Sequence, residues 1–219
     1  MPNPFTPSYA SLPEVIAIFP LPGAVLMPGT QLPLNIFEPR YLNLVEDTLG
    51  SHRLFGMIQP DPGGPRSGEA VLYRTGCAGR ITSFSETNDG RIVLVLTGIC
   101  RFDIRDELPA IRGYRRVLAD WSRFAGDYEP EAPGQFDREP FLSRLRRYCD
   151  RTAVELPWED LETLAEADLV NLLVAHLPLH TSEKQALLEA VRLDERAKLM
   201  SAFLELGSVR DRGAQSQRH

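Results

Sequence analysis

A chain of 219 residues is long enough to bury a sizeable core and short for two large domains. Its 43% hydrophobic and 25% charged content is that of a soluble globular protein, and its net charge of -6 sets it against a phosphate backbone. No apolar run nears the ~20 residues of a membrane span, no signal-peptide pattern opens the chain, and three scattered cysteines argue for a reducing, cytoplasmic setting.

Residues 1–12 are rich in Pro and Ser and are expected to be flexible. From 13 to 124, short β-type runs follow one another between Gly and Pro breaks. They read VIAIF (15–19), AVLM (24–27), LPLNIF (32–37), LFGMIQ (54–59), VLYR (71–74), GCAGRITSF (76–84), RIVLVLTG (91–98), ICRFDI (99–104) and YRRVLADW (114–121). Asp89-Gly90 tolerates the positive φ of a tight hairpin turn. Cys100, Phe102 and Ile104 alternate with Arg101, Asp103 and Arg105, which predicts a strand with one dry face and one wet face. So many short strands predict a curved, barrel-like antiparallel sheet. Residues 60–69 read as a mobile loop and 125–135 as a linker.

One stretch, QLPLNIFEPRYLNLV (31–45), interrupts apolar sequence with charge. Leu32, Leu34 and Ile36 alternate with polar residues as in a strand, and Pro33, with no N–H to donate, predicts an edge position. Pro39 suits the first turn of a helix, and Glu38 before it sets a negative charge at the helix's positive end. Glu38 and Pro39 are thus read as a structural corner, with Arg40 within reach of Glu38. Tyr41, Leu44, Val45, Thr48 and Leu49 give the helix an apolar face, and Gly50 is placed to end it.

Beyond the linker the period becomes helical, and residues 136–207 predict a small bundle. Phe141, Leu142, Leu145, Tyr148 and Cys149 form one stripe, with Arg144, Arg147 and Arg151 on another face. A second helix is expected from Glu159 to His176, stopped by Pro178. Ser182 with Gln185 reads as a capping box opening a third, and Asp194 as the N-cap of a fourth that ends at Gly207. Residues 208–219 are expected to be a flexible tail.

The chemistry-bearing patterns are thin. Lysine occurs only at Lys184 and Lys198, and neither follows a glycine, so no phosphate-cradling loop exists. Ser182 before Lys184 is explained by capping, and no G-x-S-x-G elbow is present. Cys77, Cys100 and Cys149 fall at apolar positions, where free cysteine behaves as a small hydrophobe. His176 and His180 flank Pro178 with no further ligand pattern, so no metal site is expected. The arginines at 112, 115 and 116 lie among acids, the pattern of local ion pairs, which weighs against nucleic acid.

FPLPGAVLMPGTQLPLNIFEPRYLNLVED closely resembles the start of the Lon N-terminal domain, in the IFEPRY version of stand-alone Lon-domain proteins. FGMI (55–58), GCAGRI (76–81), DGRIVLVLTGICRFDI (89–104) and LPLHTSEKQALLEAVRLDERAKLM (177–200) extend the likeness to residues 13–206. The resemblance implies an α+β fold: a β-rich, PUA-like pseudobarrel followed by a C-terminal helical bundle. It implies a non-catalytic module that binds proteins or unfolded peptides, an adaptor in protein quality control or regulated proteolysis. No cofactor is expected, and homo-oligomerisation stays open. Phe37, Arg40 and Tyr41 are the candidate peptide-binding residues. The rival readings are a small-molecule-binding or hydrolytic protein with an inter-lobe pocket, and, less favoured by the charge, an RNA binder.

Overall fold

The computed structural model describes residues 5–64, 69–129 and 134–216, with 207–216 described by backbone alone. The chain divides into two compact units, Met1–Pro130 and Glu131–His219. The protein is α+β, a mixed sheet with helices.

Among the described residues, six strands build the first unit: β1 (Val15–Pro20), β2 (Gln31–Ile36), β3 (Leu54–Ile58), β4 (Thr75–Glu86), β5 (Ile92–Ile111) and β6 (Tyr114–Asp120). They lie in the order β2-β5-β4-β3-β1-β6, and β6 pairs again with β5, closing the sheet into a pseudobarrel. Only β1 and β3 run parallel. The interior is filled by Ile16, Ile18, Ile58, Phe102 and Val117. Phe102 fits because Gly56 faces it: a Cβ there would lie 2.6 Å from the ring.

Strand β5, 20 residues long, absorbs two of the runs read separately in the sequence. β2 pairs only with β5 among the described residues. Gly98 N donates to Thr30 O at 2.9 Å, and the register Leu32↔Leu96, Leu34↔Leu94 continues that alternation. Pro33 therefore falls in a non-hydrogen-bonded pair with Val95 and faces the outer edge, where its missing donor costs no ladder bond.

Three expectations for this unit are corrected. AVLM (24–27) is not a strand: Val25, Leu26 and Met27 are buried, but the segment packs against β4 and β5 at Gly79 and Gly98 instead of pairing in the sheet. Met27 O lies against Gly98, and the Thr30 hydroxyl bonds both Met27 N and Met27 O, at 3.1 and 2.8 Å. VLYR (71–74) contributes only an isolated bridge, Leu72 to Pro60. The wet face expected in ICRFDI is dry over Arg101 and Asp103, which are 2% and 8% exposed.

The partner of Arg101 explains that last difference. Residues Ser122–Tyr128, half of them assigned to the linker, form a 3-10 helix that lays Asp127 against β5. Asp127 accepts from Arg101 N at 2.9 Å, Nε at 3.1 Å and Nη2 at 2.6 Å, and Phe124 stacks beneath the guanidinium. A buried cation held by a matching fork of acceptors keeps its charge without water. Asp103 is satisfied in turn by Thr75 Oγ1 at 2.6 Å and by Arg123.

Helix α1 (Pro39–Leu49) buries Tyr41, Leu44, Val45 and Thr48, the face expected for it. Gly50 closes it in right-handed geometry, and the positive φ comes later, at Arg53.

The second unit holds α2 (Arg138–Thr152), α3 (Trp158–Thr163), α4 (Glu166–His176), α5 (Thr181–Glu189) and α6 (Leu193–Ser216). α2 buries Phe141, Leu145, Tyr148 and Cys149, and its half-buried Arg144 pairs with Glu205 of α6. The helix expected over 159–176 is broken into α3 and α4. The capping box opening α5 is His180 with Glu183, whose carboxylate accepts from His180 N at 3.0 Å; it is not Ser182 with Gln185. α6 begins at Leu193 and continues through Gly207, since one glycine costs a helix only about 1 kcal/mol. The expectations for residues 1–4, 65–68, 130–133 and 217–219 lie outside the described residues.

Candidate functional site

The interrupted apolar stretch turns a corner in space. β2 ends at Ile36, Glu38 sits at the N-cap of α1 without capping through its side chain, and Pro39 occupies the first turn. The Glu38 carboxylate instead accepts from Arg40 Nε and Nη2, at 3.0 and 2.8 Å. That fork holds the Arg40 guanidinium over the Tyr41 ring, 4.5 Å from its centroid. Beneath it, Tyr41 stacks on Phe19 with centroids 4.0 Å apart.

The tip of the β5–β6 hairpin clamps this corner. Arg112 (φ +48) and Gly113 (φ +88) make the turn, in the left-handed conformations that suit a two-residue hairpin. The chains approach closely there: a Cβ on Gly113 would stand 3.2 Å from the Arg40 Cβ. Arg112 Nη2 donates to Asn43 Oδ1 at 2.8 Å and to Glu46 Oε2 at 2.9 Å, and the Tyr114 hydroxyl donates to Asp47 Oδ2 at 2.8 Å. Five side chains thus lock the middle of α1 to the barrel.

Beside this clamp lies a cavity of about 580 Å³. Arg40 and Tyr41 line it, with Pro20 from the end of β1, Pro60 after β3, and Tyr114 and Arg115 from β6. Arg115 is held by Glu107 through Nε and Nη2, and its Nη1 donates to Ala70 O at 2.8 Å. The bond to Glu107 raises the Arg115 pKa further. Burial pushes the Tyr41 hydroxyl up, with the Arg40 charge opposing. The cavity therefore offers aromatic and prolyl walls with fixed polar groups at its mouth, the composition of a ligand-binding cleft.

Of the candidate residues, Arg40 and Tyr41 meet at this cavity. Tyr41 is 6% exposed, on the buried face of α1, with its ring filling the Phe19–Arg40 stack. Phe37 is 62% exposed, does not line the cavity, and has the Arg91 guanidinium 5.8 Å from its ring. Sequence reasoning missed Arg115, Tyr114 and the two prolines. The only available signal was the alternation of β6, which cannot say what lies opposite.

The residues raised for other chemistry sit elsewhere. Cys77 and Cys100 are buried, and their thiols donate to backbone carbonyls, Cys77 to Ala78 and Cys100 to Arg101 and Phe124. Burial pushes the Cys100 thiol up to about 12 and Cys77 well above its usual range, the reverse of a nucleophile's tuning. Lys184 is buried, with its amine lowered by desolvation and donating to Ala175 O, whereas Ser182 is exposed. His176 ends α4 and His180 caps α5, so they share no helix face. No group of three or more metal-ligating side chains gathers among the described residues. No helix among them is long and apolar enough to cross a membrane.

A closed mixed sheet followed in the chain by a helical unit, with a cleft beside its first helix, defines a binding-domain class of fold. The chain belongs to the ATP-dependent protease La (LON) substrate-binding domain family, whose model matches residues 15–205. It is similar to Lon protease 2 of Myxococcus xanthus, 28% identical over 206 residues, and to Lon protease of Anaeromyxobacter dehalogenans, also 28% identical over 206 residues. Each alignment covers 88% of this chain but only 24% and 23% of the relative, so the chain spans about a quarter of the proteins it matches. Among solved structures, a Lon N-terminal domain protein from Xanthomonas campestris superposes with a TM-score of 0.64 at 26% identity, covering 86% of this chain and 98% of that one. The N-terminal domain of a Mycobacterium avium complex Lon protease superposes at 0.63 and 16% identity, covering 87% and 98%, a likeness of fold alone.

Proposed function

We propose that this chain is a non-catalytic protein- and peptide-binding module, acting as an adaptor in regulated proteolysis or protein quality control. The observation that carries the reading is the cleft of about 580 Å³ beside the Glu38–Arg40 corner, walled by Tyr41, Tyr114, Pro20 and Pro60. Apolar and aromatic walls with a few fixed donors suit an exposed segment of an unfolded chain. Family membership supports the same reading, since the family is described as substrate-binding. Arg40 and Tyr41 act at the cleft, and Phe37 extends the contact along the exposed end of β2. The three free cysteines fit a reducing cytoplasm.

The catalytic rival has less support. Its nucleophile would be a buried thiol that already donates to a carbonyl, with a pKa raised instead of lowered. The RNA reading loses its basic clusters to ion pairs: Arg112 is held by Glu46 and Asp47, and Arg115 by Glu107.

Binding of a reduced, alkylated and therefore permanently unfolded protein to the full chain tests the proposal, read by fluorescence anisotropy. Arg40→Ala opens the lid of the Tyr41 stack and is expected to weaken binding about fivefold or more, as truncation of an interface arginine commonly does. Far-UV circular dichroism should not change. If the unfolded protein fails to bind, or binds wild type and variant alike, the assignment to this cleft is wrong.

A further inference from the structure

Strand β2 is paired on one side only among the described residues. The backbone groups of Leu32, Leu34 and Ile36 bond β5, so those of Gln31, Pro33 and Asn35 point away from the sheet. No hydrogen bond from the described residues reaches that outer row, and all three residues are exposed. Open edges are commonly blunted by charge. This one carries none from Gln31 to Phe37, and the charges flanking it are paired with each other, Glu38 with Arg40 and Asp89 with Arg91. The outer face beside the edge is apolar. Val93 and Val95 stand opposite Asn35 and Pro33, and Val93 and Phe37 are 45% and 62% exposed.

Pro33 governs what can use this edge. A foreign strand laid antiparallel along it pairs with Gln31, Pro33 and Asn35 and forgoes one bond, the one Pro33 cannot donate. A second copy of β2 would bring a second Pro33 into the same ladder and forgo two. The edge is therefore better matched to a different extended chain than to itself.

Building on the peptide-binding reading above, we infer that the open edge of β2 captures an extended polypeptide segment by strand addition, one with apolar side chains at alternate positions. Residues directly opposite each other in an antiparallel pair share a face. The captured residues that pair with Gln31, Pro33 and Asn35 therefore lay their side chains on the face of Phe37, Val93 and Val95, and these are the apolar ones. The bonds themselves are to backbone, so the residues between can vary, as recognition of unfolded chains requires.

A fluorescent peptide of alternating Val and Thr, titrated with the full chain, is compared with two forms of itself, one N-methylated at every Val and one at every Thr. Each pattern removes the N–H groups along one edge of the peptide. The Val-methylated form is expected to bind about tenfold or more weakly, having lost several ladder bonds, and the Thr-methylated form within about threefold of the parent. In the protein, Asn35→Pro removes an outward donor without touching the β5 ladder and should weaken the parent peptide about threefold or more. Pro33→Val restores a donor and should tighten binding by a similar factor. Far-UV circular dichroism checks both folds, and if Asn35→Pro unfolds, the methylated peptides and Pro33→Val still decide. Equal binding by all three peptides, equal loss in both methylated forms, or the reverse order would overturn this inference. So would a wild-type dimer in sedimentation that Asn35→Pro dissolves, which would give the edge to a second copy. Failure of the parent peptide alone overturns strand addition and leaves binding of the unfolded protein at the cleft standing, whereas failure of both probes overturns both readings.

Discussion

The corner at Glu38-Pro39-Arg40 and the middle of β5 at Arg101-Phe102-Asp103 look alike in one dimension: opposite charges set into apolar sequence. They fold into opposite surroundings. At the corner the two side chains remain 43% and 52% exposed and satisfy each other two residues apart. In β5 the charges are buried, and their partners Asp127 and Thr75 come from 26 and 28 residues away. An exposed pair of neighbours adjusts a local geometry and is worth little, whereas a buried pair joined across the chain becomes a condition of the fold. The strength of a charged interruption is therefore set by what the rest of the chain brings to it.

Breaking the buried pair should have the largest effect. Asp127→Asn keeps the shape but leaves Arg101 as an uncompensated cation with 2% exposure, which is expected to cost about 3–5 kcal/mol in urea denaturation. Replacing both partners, Arg101→Met with Asp127→Leu, should recover much of that loss, because no charge is then stranded. A cost for Asp127→Asn below about 1 kcal/mol would place the pair with the corner instead of opposite to it.

A second prediction probes the same region through pH. Burial, with the Asp127 charge adding, holds the Cys100 thiol up at about 12, and Cys77 beside it is raised for the same first cause. In the unfolded chain a thiol titrates near about 8.5. The stability these thiols contribute is fully present below that pH and is lost as pH rises toward the folded values, because the unfolded state then releases protons the folded state keeps. Each buried thiol should therefore lower stability by up to about 1.4 kcal/mol per pH unit above 8.5. Cys100→Ala is expected to remove one such contribution from the slope between pH 8.5 and 10, before tyrosines titrate. An unchanged slope would mean that Cys100 ionises in the folded state much as it does when unfolded.

These contrasts also mark where the sequence was legible. The corner was, because Pro39, Glu38 and the spacing of Tyr41, Leu44, Val45 and Thr48 are all local signals, and each element they predict is present. The Asp89-Gly90 turn was, for the same reason, with Gly90 at φ +78. Arg101 was not: alternation reports which residues share a face, but not whether a distant carboxylate will cover that face. Asp127 was lost in turn because Pro- and Gly-rich composition around it reads as linker, although residues to Tyr128 belong to the barrel unit. AVLM failed because a buried apolar run is equally compatible with pairing in a sheet and packing against it. The cleft was half legible: Arg40 and Tyr41 come from the recognisable corner, whereas Pro20, Pro60 and Arg115 are gathered by the closure of the barrel, which no local pattern encodes.

The smallest expected effect belongs to the corner, and it sharpens the comparison most. Glu38 sits at the positive end of α1 and grips Arg40, two favourable terms of about 0.3–1 kcal/mol each at low salt. Glu38→Gln should therefore cost about 1 kcal/mol or less, and its cost should shrink in 1 M salt, where exposed charges are screened over about 3 Å. A coupling energy between Glu38 and Arg40 above about 2 kcal/mol in a double-mutant cycle would contradict the division between the two regions. Binding should respond more than stability does. Once Glu38 is neutral, Arg40 loses the carboxylate fork that holds its guanidinium over the Tyr41 ring at the cleft. The variant should then bind the unfolded protein more weakly while its fold is nearly unchanged. The charged interruption at the corner would then act on binding, as the one in β5 acts on the stability of the barrel.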